Sequence, residues 1–272
     1  MHLVDYHVHT RLCNHASGTM EACVRRAVEL NLNEIAFLDH LTLRESDHDN
    51  SMSESEVGLY HSAIMRLKKK YAGRIIVRAG LEVDHDPENA DMAKSLAERF
   101  SFDLITSSVH FSDRFNFVSR RAVRKSLDVS DQDWADAYLS SLHEMLDKPF
   151  FDVVGHIDVL KKFGRNFSRP VLERFRDVCR RMAALGLVME LNTSGLDHKA
   201  AEPYPGPVLL EMAAREGVGV TLGSDAHAPH EVGRHFEAAV KLLAETGHSN
   251  LVLFSGRKKR LEPLPACLGQ AL

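Results

Sequence analysis

Polar side chains that suit metal binding lie near the start of this chain. The run Asp5-Tyr6-His7-Val8-His9-Thr10 is followed by His15. Because side chains two residues apart on a strand point to the same face, His7 and His9 can aim at one point and chelate a single cation. Asp5 shares that face and could orient one of the two imidazoles. Two histidines alone on a strand are weak evidence for a metal site. The evidence becomes stronger if similar residues recur along the chain.

Similar residues do recur, each time at the carboxyl end of a short aliphatic run. They are His7, His9, Asp39, His40, Glu82, His110, His156, Asn192, Asp225 and His227. Imidazoles and carboxylates in this number exceed the needs of one tetrahedral ion, so the pattern predicts two or three metal ions. Donors of these types, without thiolates, favour Zn, Mn or Fe. Glu82 could bridge two ions, and bridged ions about 3.5–4 Å apart suit in-line displacement at phosphorus.

The elements that must position these side chains alternate between strand and helix. Aliphatic runs predict strands at residues 3–8, 34–38, 74–79, 102–107, 152–155, 187–191, 219–222 and 251–254. Helical spacing predicts helices at residues 20–30, 53–71, 90–99, 131–146, 171–185, 208–216 and 231–246. Short connections between alternating elements favour an α/β fold with a parallel sheet, and this number of units favours closure into a barrel. The carboxyl ends of the strands in a barrel open on one rim, which would gather the polar residues into one cup.

The composition excludes several classes of protein. The chain has 272 residues, a net charge of −4 and four cysteines without a CxxC pair, Cys13, Cys23, Cys179 and Cys267. The acidic balance argues against a nucleic-acid surface, and the cysteine spacing gives neither a zinc finger nor a disulfide framework. No Gly-x-Gly-x-x-Gly follows a predicted strand, which excludes dinucleotide binding. Without a signal peptide or a membrane-spanning run, we expect a cytoplasmic protein with one domain at residues 1–262 and a frayed tail at 263–272.

Together, the polar runs resemble the PHP (polymerase and histidinol phosphatase) superfamily from residue 3 to about residue 236. The matching runs are Asp5-Tyr6-His7-Val8-His9-Thr10, Cys13-x-His15, Asp39-His40, Gly80-Leu81-Glu82, Ser108-Val109-His110, Gly155-His156, Asn192-Thr193-Ser194-Gly195 and Gly223-Ser224-Asp225-Ala226-His227. Within the superfamily, the sequence is most similar to the monofunctional histidinol-phosphate phosphatases. The runs that carry this closer similarity are Ala16-x-Gly18, Val159-Leu160-Lys161-Lys162-Phe163-Gly164 and Tyr204-Pro205. The resemblance implies a distorted, TIM-like (β/α)7 barrel with three metal ions at the carboxyl rim.

The resemblance also implies how the ligands divide among the ions. The first ion would take His7, His9, Glu82 and Asp225, the second would share Glu82 and take His110 and His156, and the third would take His15, His40 and His227. Spacing alone predicts that Asp225 and His227 share an ion, because they repeat the spacing of His7 and His9. The resemblance separates them.

A phosphatase of this family implies metal-assisted hydrolysis of a small phosphate monoester, here L-histidinol phosphate in histidine biosynthesis. The metal ions would lower the pKa of a bridging water and so supply a hydroxide nucleophile. Asp39 is expected either to orient a metal ligand or to donate a proton to the leaving alkoxide, and with Glu82 and Asp225 it forms the predicted catalytic set. The candidates for binding the phosphate are Lys161, Arg165, Asn192, Lys199 and Arg234. Those for binding cationic groups of the substrate are Glu45, Asp47 and Asp49.

One position departs from the phosphatase pattern. In that subfamily the Asn-Thr-Ser/Ala-Gly-Leu run continues with an Arg that resembles a phosphate ligand, whereas this chain has Asp197 after Leu196. Asp197 would repel a phosphate dianion, and Lys199 offers only a point charge in its place. Two alternatives therefore stay open. One is a PHP phosphoesterase for a nucleotide, a cyclic phosphate or an oligonucleotide end, and the other is a non-catalytic metal-binding barrel. The sequence leaves the oligomeric state undetermined.

Overall fold

The computed structural model describes residues 2–44, 49–112, 115–119 and 129–265. Within these residues, nine strands form one sheet whose spatial order follows the chain. The strands are β1 Val4–Val8, β2 Glu34–Leu41, β3 Ile76–Asp84, β4 Leu104–Ser108, β5 Val153–Val154, β6 Val188–Asn192, β7 Gly219–Gly223, β8 Asn250–Ser255 and β9 Lys258–Pro263. Neighbours from β1 to β8 pair in parallel, and β9 runs antiparallel to β8. The predicted α/β architecture with a parallel sheet is confirmed.

Helices connect the parallel strands, close to the predicted positions. They are α1 Met20–Glu29, α2 Val57–Lys70, α3 Ala90–Arg99, α4 Asp131–Met145, α5 Arg169–Leu185, α6 Pro207–Arg215 and α7 Phe236–Glu245. The Thr19 hydroxyl caps α1 by accepting the Ala22 N–H at 3.1 Å. Helix α7 begins later than predicted, because Gly233 and His235 adopt positive φ values of 72° and 59° that an α-helix does not tolerate. No helix among the described residues is long and apolar enough to cross a lipid bilayer.

The strands are buried along their length, which explains their aliphatic character. Every residue of β1, β4 and β6 is buried, as expected for parallel strands covered on both faces. β2 and β3 extend further than predicted, so Asp39, His40 and Glu82 lie inside strands rather than just after them. His40 and Glu82 are also direct neighbours in the register of β2 and β3. The sheet therefore fixes the spacing between two of the predicted metal ligands.

The ends of the first and seventh strands are linked at the carboxyl rim. The His9 N–H donates to the Ala226 carbonyl at 2.9 Å, and the Ala226 N–H donates to the His7 carbonyl at 3.1 Å, just beyond the end of β7. Gly223 permits this close approach, because a Cβ at that position would lie 2.6 Å from the Cβ of His7. These contacts place β1 beside the segment that follows β7, as a TIM-like barrel requires.

The β8–β9 hairpin packs against the amino ends of the parallel strands. The Gly256 N–H donates to the carboxylate of Asp103, just before β4, at 3.1 Å, and the Ser255 hydroxyl accepts a hydrogen bond from Arg78 of β3 at 2.9 Å. Strand β9 was not predicted, because its residues are mostly charged and exposed. Residues 266–272 of the predicted tail lie outside the described residues, and the division into one domain and a tail stays a prediction.

A buried carboxylate anchors this amino rim. Glu34, at the start of β2, is fully buried and accepts hydrogen bonds from the Tyr6 hydroxyl at 2.6 Å, from Arg78 Nε at 2.7 Å and from Arg260 at 2.6 Å. Arg260 belongs to β9, so this network ties the hairpin to β1, β2 and β3. Burial alone would raise the pKa of Glu34, but the hydrogen bonds from Arg78 and Tyr6 outweigh burial and lower it.

Replacing Glu34 by Gln should destabilise the protein by about 3 kcal/mol at pH 7. Arg78 and Arg260 lose the carboxylate that they share, and Arg78 keeps only Asp103, at 3.5 Å. The folded-state pKa of Glu34 lies below the ordinary value of 4.5. Its ionised form therefore stabilises the fold above that pH, and this contribution is lost as the pH falls through the folded-state pKa. The difference in unfolding free energy between wild type and Glu34→Gln should shrink as the pH is lowered below 4.5. Urea denaturation at a series of pH values measures it.

Glu245→Gln is the matched control, since Glu245 is exposed and its nearest cation, Lys241, is 3.8 Å away. We expect it to change the free energy of unfolding by less than about 0.5 kcal/mol. A Glu34→Gln effect that is as small, or that does not vary with pH, would contradict the assigned network.

Candidate metal centre

The side chains predicted as metal ligands converge on one cup at the carboxyl rim. They are His7, His9, His15, His40, Glu82, His110, His156, Asp225 and His227. The imidazole of His9 lies near the middle, with ring centroids 4.3 Å from His40 and 4.1 Å from His227. Most of these side chains are buried, and His15 is exposed at the edge of the cup.

Glu82 of β3 is the carboxylate around which five imidazoles gather. Its Oε2 lies 2.8 Å from His40 Nδ1, 3.3 Å from His7 Nε2 and 3.8 Å from His9 Nε2. Its Oε1 lies 2.9 Å from His156 Nε2 and 3.8 Å from His110 Nε2. The two oxygens thus face different sets of nitrogens, which is the arrangement that a carboxylate bridging two cations needs.

Asp225 and His227 face different neighbours, although they are only two residues apart. Asp225 Oδ1 lies 3.0 Å from His9 Nε2 and 4.0 Å from His7 Nε2. His227 Nε2 lies 3.0 Å from His15 Nε2. Asp225 has a φ of 53°, which turns the chain between the two side chains. Asp225 Oδ1 also lies 3.5 Å from His227 Nδ1, so whether these two residues share an ion or serve two ions stays a prediction.

Donor atoms of three residues approach one another within 4.8 Å in several groups. Two of these groups are His7–His9–Glu82 and His15–His40–His227, and a third combines His40, Glu82 and His110. The first two match the expected first and third ions. The third differs from the expected second ion, since it holds His40 in place of His156, although His156 is also in contact with Glu82. The assignment of ligands to individual ions stays a prediction.

Several features of the cup fit a cluster of cations. His7 Nε2 and Glu82 Oε2 are buried without a hydrogen-bond partner, which is costly unless another group satisfies them. Burial and the imidazole of His40 lower the pKa of His15 to about 4, and burial and His9 lower that of His227 to about 2, so both are neutral nitrogen donors. Burial alone would lower the pKa of His40, but the neighbouring Glu82 carboxylate outweighs burial and raises this pKa to about 9. The region around Glu82 therefore favours positive charge, which metal ions would supply.

Buried carboxylates behind the cup hold the imidazoles in place. The Nδ1 atoms of His7 and His110 donate to Glu190 and Asp84, respectively. Such contacts fix the tautomer and leave Nε2 free to bind a metal. The sequence interpretation missed both acids, although each had a signal: Glu190 lies two residues before Asn192, and Asp84 lies two residues after Glu82. The same alternation that identified His7 and His9 would have found them.

Asp39 occupies the corresponding position for His9. Its Oδ1 lies 3.4 Å from His9 Nδ1, and its Oδ2 accepts hydrogen bonds from the N–H and hydroxyl of Thr10. These contacts suit the orienting role more than that of a proton donor. Asp5, by contrast, does not orient an imidazole: its carboxylate accepts the N–H of Ser224 at 2.9 Å and that of Gly233 at 2.9 Å, and so joins β1 to the segment after β7.

A cleft with a volume of about 530 Å³ opens above the cup. The residues that line it are His15, His40, Asn50, Asp84, His110, Asn116, Val118, Ser119, His156, Val159, Lys162, Ser194, His198, Tyr204, Asp225, His227, Glu231 and Arg234. Six of the predicted ligands are among them, so the cup is open to a small molecule. Among the residues that line the cleft, one is a lysine, Lys162, and one is an arginine, Arg234.

Comparison with known proteins adds the family. Residues 5–194 match the model of the PHP domain. The chain belongs to the PHP domain family. The probable histidinol-phosphatase of Deinococcus radiodurans is 33% identical over 258 residues, which cover 94% of this chain and 98% of that protein. The histidinol-phosphatase of Bacillus subtilis is 27% identical over 86% of this chain and 97% of its own length.

The fold of this PHP domain also has a close match among solved structures. It is the crystal structure of histidinol phosphate phosphatase from Lactococcus lactis, in complex with zinc, L-histidinol and phosphate. The TM-score is 0.82 at 21% sequence identity, with 95% of this chain and 98% of that chain covered. The likeness confirms the predicted TIM-like architecture of the PHP barrel.

Three of the cations predicted to bind phosphate do not line the cleft of this PHP domain. Lys161 is buried and pairs with Asp158 at 2.8 Å and with Glu202 at 3.0 Å. Arg165 pairs with Asp131 at 2.6 Å. Lys199 is exposed outside the cleft lining. Sequence reasoning chose these residues by proximity to the motifs, and it missed Lys162, the neighbour of Lys161 that does line the cleft.

The remaining substrate candidates have mixed outcomes. Asn192 is buried and donates from Nδ2 to Asp225 Oδ2 at 3.2 Å, so it holds a predicted metal ligand instead of lining the cleft. Arg234 does line the cleft. Among the acids proposed for cationic groups of the substrate, Asp49 is exposed, and Glu45 and Asp47 lie outside the described residues.

Asp197 does not face the cleft as an unpaired charge. Its carboxylate lies 3.2 Å from an amino group of Arg234 and 2.8 Å from His235 Nε2. The expected repulsion of a phosphate dianion is therefore offset by the neighbouring guanidinium. Asp197, which stands where the phosphatase pattern has an Arg, thus forms an ion pair with Arg234.

Glu190→Gln should weaken metal binding, because Gln cannot offer His7 Nδ1 the charged acceptor that fixes its tautomer. We expect a loss of about 10–100-fold in apparent zinc affinity. Competition of the purified protein with a zinc-binding dye measures this. Glu211→Gln, on the exposed side of α6, is the control and should bind zinc like the wild type. Equal affinities for Glu190→Gln and the control would rule out the orienting role.

Proposed function

We propose that this PHP domain is a metal-dependent phosphatase that hydrolyses a small phosphate monoester, L-histidinol phosphate, in histidine biosynthesis. The observation that carries the proposal is the set of imidazoles around Glu82, in which buried donor atoms lack a partner. A buried polar atom without a hydrogen-bond partner costs folding free energy, and bound cations would remove that cost.

The named relatives support this choice of substrate. The proteins of Deinococcus radiodurans and Bacillus subtilis are matched over 98% and 97% of their lengths. The Lactococcus lactis enzyme was solved with L-histidinol and phosphate, which are the two products of the proposed reaction. The three described cysteines are free and buried, which suits a reducing compartment such as the cytoplasm.

The proposed ligands are the nine side chains of the cup, divided among the ions as the family resemblance implies. When bound, divalent ions would activate water as a nucleophile and offset charge on the phosphoryl oxygens in the transition state. Glu82 and Asp225 stay ionised at neutral pH, since nearby imidazoles hold the pKa of each carboxyl well below its usual range despite burial. Glu190 and Asp84 orient His7 and His110, and Asp39 lies 3.4 Å from His9 Nδ1 without a formed hydrogen bond.

A lysine in the lining of the cleft supports phosphate binding. Lys162 lines the cleft together with His198 and Tyr204. Burial and the charge of Lys162 lower the pKa of His198 to about 4, so at neutral pH this imidazole is uncharged, and Lys162 supplies the positive charge of that wall. A Lys forms a strongly hydrated point charge that suits a phosphate oxygen at the edge of a metal site.

Phosphate release by the zinc- or manganese-loaded protein tests the proposal directly. We expect kcat/KM for L-histidinol phosphate to exceed that for p-nitrophenyl phosphate by at least about 100-fold, because only the first can use the cleft walls. A panel with a nucleoside monophosphate, a cyclic nucleotide and a 3′-phosphorylated oligonucleotide covers the alternative substrates. A preference for any of them, or no preference, would reject L-histidinol phosphate as the substrate.

His7→Ala in the same assay should abolish detectable turnover and lower the bound metal, since His7 lies against both Glu82 and Asp225. His61→Ala, which removes an imidazole packed on Phe100 at the outside of the fold, is the matched control. Unchanged metal content and turnover in His7→Ala would exclude the proposed centre and favour a protein whose activity, if any, lies elsewhere.

Lys162→Met should raise KM for L-histidinol phosphate by about tenfold or more, which corresponds to a loss of about 1.4 kcal/mol of binding free energy. Lys199→Met should leave KM unchanged, because Lys199 is outside the cleft lining. Steady-state kinetics at saturating metal separate the two. The reverse result would make Lys199 the phosphate cation, as the sequence suggested.

A further inference from the structure

We propose that Arg234 is a positioning residue that holds the metal-ligand loop after β7, rather than an anchor for the phosphate of the substrate. The inference rests on the proposed metal centre, because its effect is exerted through Asp225 and His227. Arg234 is four-fifths buried, with a side-chain exposure of 17%, and it lies at the edge of the cleft.

One side of the guanidinium binds the backbone of the loop. Arg234 Nε donates to the carbonyl of Ser224 at 2.9 Å, and a terminal nitrogen donates to the carbonyl of Asp225 at 2.8 Å. Two successive carbonyls are thus held by one planar group. Asp225 has a left-handed φ of 53°, a conformation that persists in a residue other than glycine when its surroundings enforce it. The two hydrogen bonds of Arg234 enforce it here.

The other side of the guanidinium faces two carboxylates. Its second terminal nitrogen lies 3.2 Å from Asp197 and 3.5 Å from Glu231. Glu231 in turn accepts the N–H of His227 at 2.7 Å. Arg234 therefore connects the backbone at Asp225 with the acid that fixes the backbone at His227, and both proposed metal ligands of this loop depend on the same side chain.

The same contacts connect the loops after β6 and β7. Asp197 follows β6, and the Thr193 hydroxyl, also after β6, donates to the Arg234 carbonyl at 2.8 Å. This gives Asp197 a function that explains its presence. An Arg at that position would place two guanidinium groups side by side, whereas an acid neutralises Arg234 and fixes its orientation.

Phosphate binding by Arg234 is disfavoured by these partners. The guanidinium already faces two carbonyl and two carboxylate oxygens. A phosphate dianion would therefore have to displace carboxylates that belong to the same chain and stay close to the guanidinium. Because Asp197 and Glu231 already neutralise the guanidinium, this edge of the cleft has no net positive charge to attract the dianion. Lys162, on another wall of the cleft, is the cation that the proposed function assigns to the phosphate.

Arg234→Lys and Arg234→Met separate the two roles. A Lys ammonium keeps the charge but cannot bond both carbonyls and Asp197 in one plane. For a positioning residue, both variants should lose about 10–100-fold in apparent zinc affinity, measured by competition with a zinc-binding dye in the absence of substrate. KM for L-histidinol phosphate at saturating zinc should stay within about twofold of wild type. Arg215→Met, an exposed arginine on α6, is the control.

Two outcomes would overturn the inference. One is a wild-type zinc affinity in Arg234→Met together with a KM raised tenfold or more, which is the signature of a phosphate anchor. The other is full recovery of zinc affinity in Arg234→Lys, which would show that charge alone matters. If Arg234→Met does not fold, as judged by its thermal melt, Asp197→Asn takes its place. It should weaken zinc binding by a few-fold without lowering KM, and a lowered KM would contradict the proposal.

The zinc measurement also separates this inference from the proposed function. Wild-type protein that binds zinc but does not hydrolyse L-histidinol phosphate would reject the substrate and leave the role of Arg234 intact. Wild-type protein that binds no zinc would overturn both the metal centre and the positioning role.

Discussion

The burial of the Glu82 carboxylate is the constraint on which the rest of the structure depends. A carboxylate with almost no contact with water needs compensating positive charge or hydrogen bonds from every side. His7, His40, His110 and His156 surround it from β1, β2 and the segments after β4 and β5. They satisfy it only in part, because Oε2 has no hydrogen-bond partner. Residues so far apart in the chain meet only if parallel strands end at one rim. The parallel arrangement of the strands is therefore the condition for this site, and the Val8–Ala226 bridge holds β1 beside the segment after β7.

Each rim of the sheet contains a buried carboxylate, and different groups neutralise the two carboxylates. At the amino rim, the buried Glu34 is paired with Arg78 and Arg260, whose guanidinium groups stay protonated at any ordinary pH. That network is complete by itself. At the carboxyl rim, the counter-charges of Glu82 are imidazoles, which can lose a proton and then donate a lone pair to a metal. Imidazole can exchange its proton for a metal ion and guanidinium cannot, so only the carboxyl rim is suited to metal binding.

The sequence predicted the fold and the inner residues of the cup well, because both depend on simple periodicity. Aliphatic runs mark buried strands, and polar residues at their carboxyl ends stand out against them. The acids behind the cup follow the same alternation, but Glu190 lies inside a predicted strand and Asp84 lies beyond the end of one. Strand β9 escaped prediction because its charged side chains pack on the rest of the fold through long aliphatic stems and ion pairs, as Arg260 does with Glu34. Such pairings between distant residues leave no local pattern.

The charge of a single residue in a motif is also a poor guide to the charge that a ligand meets. In the motif, Asp197 stands where the resemblance expects a phosphate-binding Arg, and taken alone it argues for another substrate. In the fold, Asp197 is neutralised by Arg234 and lies beside His235. The positive charge of the cleft comes instead from Lys162, which follows a different strand. A phosphate in the cup would meet the summed field of these groups, and that sum is compatible with a small dianionic ester despite the acid in the motif.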